Sequence, residues 1–121
     1  MVDLNELQTQ FHTCMPLFIA LGDEVRLTII EALTQAAFGH KEAAGRSGIK
    51  GMNVIEITKK TNLSRPAISH HLKILKEAGL IGVQKEGTSN YYYMTIQDST
   101  SQLMQLGSML QEILEERSGS I

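Results

Sequence analysis

Apolar residues open the chain at Leu4, Leu7, Phe11, Cys14, Phe18 and Leu21, a 3-4-3-4-3 spacing that lines one stripe of a helix over residues 4–21. Pro16 lacks an amide donor inside that pattern and predicts a kink or a break near Cys14. Asp23 has the chemistry of an N-cap, with Glu24 in the first turn and Val25, Ile29, Ile30 and Leu33 available for burial, so a second helix should start there and fade after Ala37. Residues 38–52 hold four of the ten glycines and sustain no period; they read as a long connection, a tolerated surface insertion with at most a helical turn at 41–44.

Asn53 and Glu56 have the spacing of a capping box, which predicts a short helix from Val54 to about Lys60. Thr61-Asn62-Leu63 follows as a turn in which Asn62 can adopt the left-handed conformation that ends a helix. Ser64 then caps the next helix, Pro66 fits its first turn, and Leu63 can staple onto Ile68. Ala78-Gly79-Leu80 reads as a Schellman stop with Leu80 folded back on Leu75. Two helices joined by so short a turn outline a helix-turn-helix over residues 53–79.

Two β-prone runs come next, 81–85 and 91–96, separated by Glu86-Gly87-Thr88-Ser89-Asn90, and predict a hairpin across 81–96. Asp98 can cap a last helix over 98–117, whose Leu103, Leu106, Leu110 and Ile113 repeat at 3-4-3 while Met109 and Leu114 widen the stripe. The tail from Ser118 should fray. The expected architecture is mainly α with one β-hairpin, a single domain spanning 1–121.

Composition excludes more than it assigns. With 42% hydrophobic and 20% charged residues, no apolar run long enough to cross a bilayer and no basic-then-apolar start, a disordered chain, a membrane span and a secretory precursor are all disfavoured. One cysteine rules out an internal disulfide framework and a multi-cysteine zinc site. The net charge of −2 argues against nucleic acid as a partner if the charges are evenly mixed, and they are not. Residues 1–49 and 87–121 each carry −3, whereas 50–86 hold seven cations against three acids, a basic block of +4 flanked by acidic ends.

Placed at 100° per residue, the helix over 65–76 has two faces. Ala67, Ile68, Leu72, Ile74 and Leu75 share one arc with His71; Arg65, Pro66, Ser69, His70, Lys73 and Lys76 share the other. Three cations on a helix are usually just a solvated face, but these lie on the second helix of a helix-turn-helix and precede a polar hairpin tip. A major groove admits such a helix, Arg and Lys neutralise phosphates or read guanine edges, and the small hydroxyls of Ser64 and Ser69 allow close approach.

LGDEVRLTIIEAL at 21–33, IEITKKTNLSRPAISHHLKILKEAGLI at 55–81 and KEGTSNYYYM at 85–94 resemble the winged helix-turn-helix repressors of the ArsR/SmtB family over most of residues 18–96. The resemblance implies a cytoplasmic homodimer that binds double-stranded operator DNA and releases it when an effector binds, without enzymatic activity or a cofactor. It further implies that the terminal helices, 4–21 and 98–117, form the dimer, with Leu4, Leu7, Phe11, Cys14, Leu103, Leu106, Leu110 and Ile113 at the interface. Ser64, Arg65, Ser69 and His70 match positions that face the major groove, with Pro66 and Lys76 on the same face, and Lys73 fits a phosphate contact. Lys85, Thr88 and Ser89 match the wing tip, which lies along a minor groove in this family. His71, on the apolar arc, is expected to be a packed, hydrogen-bonded histidine.

The metal-sensing motifs of the family are missing from this chain. Where a Cys-x-Cys pair would stand are Asn53 and Ile55, and no histidine follows His71, so Asp98 has no imidazole partners on the last helix. Zinc, arsenic and copper sites need such ligands, so no conventional metal site is expected. Cys14 reads as a buried interface residue; a single-thiol redox switch and a metal site with His12 and His40 remain as alternatives. A different class of function, a winged-helix module that binds protein rather than DNA, predicts a neutral or acidic face in place of the cationic one. No paired carboxylates or glycine-rich phosphate loop support an enzyme.

Overall fold

In a computed structural model of the chain, residues 2–39 and 51–119 are described. They form α1 (Leu4–Leu21), α2 (Glu24–Gly39), α3 (Val54–Thr61), α4 (Arg65–Glu77), β1 (Ile81–Glu86), β2 (Ser89–Met94) and α5 (Ile96–Gly119). Helices α3 and α4 make a helix-turn-helix, the antiparallel hairpin β1-β2 makes a wing beside it, and α1 packs chiefly on α5. This is the winged helix-turn-helix expected from the sequence pattern.

Local chemistry sets the element ends. Asp3 accepts from the Asn5 N–H at 3.1 Å ahead of α1, and Asp23 accepts from the Arg26 N–H at 3.0 Å ahead of α2. Both halves of the capping box form at α3: Asn53 Oδ1 accepts from the Glu56 N–H at 2.9 Å, and Glu56 Oε1 from the Asn53 N–H at 3.1 Å. Asn62 ends α3 at φ 59°, in the left-handed region. The close of α4 is a full Schellman motif, with the Leu80 N–H donating to the Leu75 carbonyl and the Gly79 N–H to that of Lys76, both at 3.0 Å, while Gly79 takes φ 78°.

Four features depart from the sequence reading. α1 runs through Pro16 as one helix: Pro16 and His12, whose carbonyl loses its donor, both lie on the exposed side, where water solvates the freed group. The hairpin turn is two residues, Gly87-Thr88, rather than five; positive φ at Gly87 alone is the pattern of a type II′ turn, so Ser89 and Asn90 belong to β2. α5 begins at Ile96, two residues early, which puts Asp98 inside the first turn instead of at the cap. Finally, the connection 38–52 ends in ordered structure. Met52 pairs with Tyr92 through two backbone hydrogen bonds of 2.8 Å, adding a bridge to the wing, and a Cβ at Gly51 would lie 2.6 Å from the Tyr92 carbonyl oxygen. The turn expected at 41–44 lies outside the described residues.

Ile29 and Leu33 of α2, Ile57 of α3 and Ile68, Leu72 and Leu75 of α4 form the centre of the core, closed toward the wing by Leu80, Ile81 and Met94. α1 joins it on a face offset from the predicted stripe: Cys14, Leu17 and Ala20 are buried together with a polar residue, Gln10. Gln10 Nε2 donates to the backbone carbonyl of Gln102 at 3.0 Å and to its side-chain Oε1 at 2.9 Å, and Cys14 Sγ lies 3.3 Å from the same carbonyl. These bonds pin α1 to α5. The apolar residues Leu4, Phe11, Met15 and Phe18 are left on the outer side, Leu4 at 73% exposed.

Arg26 connects α1 to the helix-turn-helix. Its Nε donates to the Ala20 carbonyl at 2.6 Å, one terminal nitrogen to the Ile19 carbonyl at 3.1 Å, and the other lies 3.2 Å from His71 Nδ1 on α4. Asp23 Oδ2 stands 3.9 Å from that same ring nitrogen. His71 is thus the packed, hydrogen-bonded residue expected from its place on the apolar arc.

The Asp23 carboxyl is held below its ordinary value, first by the Arg26 N–H it accepts; desolvation opposes this, and the charges of Arg26 and His71 support it. A carboxyl more acidic in the folded chain than in the unfolded one, where it titrates at roughly 3.9, stabilises the fold above that pH, and the contribution disappears as pH falls through the folded value. Asn also caps helices, so Asp23→Asn keeps the cap and removes the titration. Between about pH 5 and about pH 2, the melting temperature of Asp23→Asn should fall less than that of the wild type; parallel pH profiles would show that Asp23 does not contribute.

Candidate nucleic-acid interface

The apolar arc of α4 is consumed by the core, and that burial aims the opposite arc at solvent. Ser64, Arg65, Pro66, Ser69, His70, Lys73 and Lys76 are all exposed, while Ile68, Leu72 and Leu75 are buried beneath them. Ser64 also has a structural task, its Oγ accepting from the Ala67 N–H at 3.4 Å. His70 meets the edge of the His71 ring, with centroids 5.4 Å apart. Among the described residues Arg65, Lys73, Lys76 and Lys85 have no ion-pair or hydrogen-bond partner, so their charges are uncommitted. The presented face is cationic, which is the opposite of what a protein-binding reading of the motif predicts.

Arg65 stands where helix energetics disfavour it. It occupies the first turn of α4, which contains no acidic residue, and the positive end of the helix dipole destabilises a cation there. By contrast Lys59 and Lys60 lie in the last turn of α3, where the dipole favours them, so those two cations have a structural rationale.

The wing brings the remaining predicted residues close to α4. Lys85 and Thr88 are exposed and Ser89 is half-buried, with Lys85 opposite Asn90 and Glu86 opposite Ser89 across the hairpin. Arg65, Thr88, Ser89 and Asn90 line one cavity of about 190 Å³ together with Asn53, Val54 and Ile55 from the start of α3. The sequence pattern alone does not indicate this convergence: it places Arg65 toward a major groove, the family resemblance lays the wing along a minor one, and neither singles out Asn53 or Asn90 as a contact. The two-residue turn keeps the tip short, and the nonlocal Met52-Tyr92 bridge ties the start of α3 to the wing.

The predicted dimer residues are dispersed by the α1/α5 pairing. Cys14 and Leu106 are buried inside the single chain and retain no surface for a partner to cover; Leu7, Leu103 and Leu110 are partly buried against the same core. Ile113 is half-buried, and Leu4 and Phe11 are exposed. Exposed beside them are Met15, Phe18 and Ile19 on α1 and Met104 and Leu114 on α5, none of which the original stripes singled out for contact except Phe18 and Leu114. His12 is exposed on α1 while Cys14 is buried, and His40 lies outside the described residues. Among the described residues no three His, Cys, Asp or Glu side chains come together as a metal-sized group, and no helix is long and apolar enough to cross a membrane.

Comparison with known proteins agrees with this geometry. Residues 50–83, most of the basic block, match the family model for bacterial regulatory proteins of the arsR family. An uncharacterised HTH-type transcriptional regulator of Methanocaldococcus jannaschii is 32% identical over 97 residues, covering 80% of this chain and 93% of that protein. The transcriptional repressor SdpR of Bacillus subtilis is 32% identical over 90 residues, covering 72% of this chain and 84% of its own. In structure, the regulator HlyU of Vibrio vulnificus superposes with a TM-score of 0.63 over 89% of this chain and 98% of that one, at 24% identity.

The two kinds of exposed residue on α4 predict separable effects. Ser64→Ala removes a cap and should cost about 1 kcal/mol of stability, whereas Lys73→Ala, with no partner to lose, should stay within about 0.5 kcal/mol of wild type. Urea denaturation of both variants measures this, and an equal loss in the two would contradict the assignment.

Proposed function

The chain belongs to the arsR family of bacterial regulatory proteins, and from that premise we propose that it is a transcriptional repressor that binds operator DNA as a homodimer and is released by an effector. The observation that carries this reading is the uncommitted cationic arc of α4, held outward by burial of Ile68, Leu72 and Leu75 on the opposite arc and flanked by the wing. Repression is the role named for one relative, SdpR.

In the proposed complex α4 of each protomer enters a major groove, and two half-sites about 34–36 Å apart follow from two-fold symmetry. Ser69 and His70 face base edges, while Lys73, Lys76 and Lys85 neutralise phosphates. The outer stripe of α1, Leu4, Phe11, Met15 and Phe18, continued by Met104 and Leu114 on α5, supplies an apolar surface for the second protomer. A Cys-x-Cys metal site at the start of α3 has no ligands in this chain, since Asn53 is committed to its capping box and Ile55 has no ligand chemistry.

Two measurements test this. Binding to the DNA upstream of the protein's own gene, followed by gel shift at low and high salt, should weaken steeply as salt releases counterions; no shift at low salt with a dimeric sample would sink the proposal. Phe18→Glu places a charge on the outer stripe without touching the core. It should convert the protein to a folded monomer in sedimentation and abolish the stable shift, and a dimer of unchanged affinity would remove α1 from the interface.

A further inference from the structure

We propose that the cavity between α4 and the wing is a seat for a single DNA phosphodiester, gripped jointly by Arg65 and the wing tip. This rests on the DNA-binding reading above and goes beyond it, because it assigns Arg65 to the backbone rather than to a base and makes the wing its partner on the same phosphate.

The lining of the cavity specifies an anion. Arg65, Asn53, Thr88, Ser89 and Asn90 surround it with Val54 and Ile55, and no carboxylate is among them. The guanidinium has no internal partner, and its planar fork matches two phosphate oxygens at once. Asn53 accepts from the Glu56 N–H through its oxygen, which turns its amide nitrogen into a free donor; Thr88 and Ser89 add hydroxyls, neither bonded elsewhere. One cation and several neutral donors without an acceptor of equal charge suit a singly charged phosphodiester. A guanine edge would be met by the fork alone, and the wing donors would then have nothing to bind.

The position of Arg65 supports the same conclusion. A cation in the first turn of α4 opposes the helix dipole and bonds nothing in the protein, yet beside an anion the dipole and the guanidinium act in the same direction. Val54 and Ile55 line the cavity on the α3 side and bring no competing charge to it.

The full-length protein can be tested on two duplexes, one selected from a random library by the wild type and one of scrambled sequence. Arg65→Ala should weaken both by the same factor, roughly tenfold to a hundredfold, and should flatten the slope of log affinity against log salt by about 1.8 for a dimer, one contact per protomer at about 0.9 each. The paired variant Thr88→Ala with Ser89→Ala should show a smaller loss on both duplexes, and adding Arg65→Ala to it should cost much less than in the wild type, because the two groups share a ligand. Replacing phosphates of the selected duplex one at a time by neutral methylphosphonate should reveal one position per half-site at which Arg65→Ala has no further effect. A loss confined to the selected duplex with an unchanged salt slope would make Arg65 a base reader and overturn the seat, as would strictly additive losses from α4 and the wing. If the wild type binds neither duplex, the DNA-binding reading fails with it; if it binds both and only the Arg65 results disagree, the seat alone fails. Circular dichroism of each variant checks that these exposed substitutions leave the fold intact.

Discussion

The guanidinium of Arg26 is the junction on which the relative placement of the two halves of this molecule depends. α1 ends without a basic residue in its last turn, so the carbonyls of Ile19 and Ala20 lack both donors and a favourable charge. Arg26, two residues into the next helix, supplies both, and its remaining nitrogen reaches His71 on the buried side of α4. Three helices are therefore fixed by one planar group with set donor directions. The apolar contacts between the α1/α5 pair and the helix-turn-helix resist separation but tolerate sliding, and the Arg26 bonds add direction to them. Lysine at this position would offer a point charge with no fork.

With that corner fixed, the two layers carry different surfaces. The helix-turn-helix and wing contain the +4 block, and the cations of α4 point outward because Ile68, Leu72 and Leu75 on its other face are buried in the core. The acidic residues at the two ends of the chain accompany α1 and α5, whose exposed side is instead apolar around Phe11, Met15 and Phe18. The overall charge of −2 averages these two surfaces and describes neither. Inside the α1/α5 pair, the Gln10-Gln102-Cys14 bonds supply the directional contacts that its apolar residues lack, and satisfied buried hydrogen bonds of this kind fix register.

What was legible in the sequence follows from how far apart the interacting groups are along it. The capping box at Asn53, the left-handed Asn62, the Ser64 cap and the Schellman close at Gly79 each involve residues within six positions of one another, and each formed as read. The two faces of α4 were also legible, since periodicity alone assigns them. The Met52-Tyr92 bridge joins residues forty positions apart, and Met52 sits in a stretch with no period. The inner face of α1 was misread because Gln10 is polar; its burial is favourable only against Gln102, a partner that no local pattern indicates. The cavity beside Arg65 failed to show for the same reason, since it is assembled from three elements and a turn that proved three residues tighter than expected.

The places where this chain breaks local rules are informative because elsewhere it obeys them. Caps, stops, turn glycine and core agree with one another, as they do in sequences that specify a single fold. Against that background a cation at the positive end of α4 and a row of Leu, Phe and Met facing water on α1 are both unfavourable in the isolated chain. Each is modest, with a misplaced charge in a first turn costing about 0.3–1 kcal/mol, and a stable core accommodates them. Neither has a return within the protomer. An anion at Arg65 would reverse the sign of the first, and a second apolar surface over Phe11 and Phe18 would reverse the sign of the second, so the two violations support the two contacts proposed above.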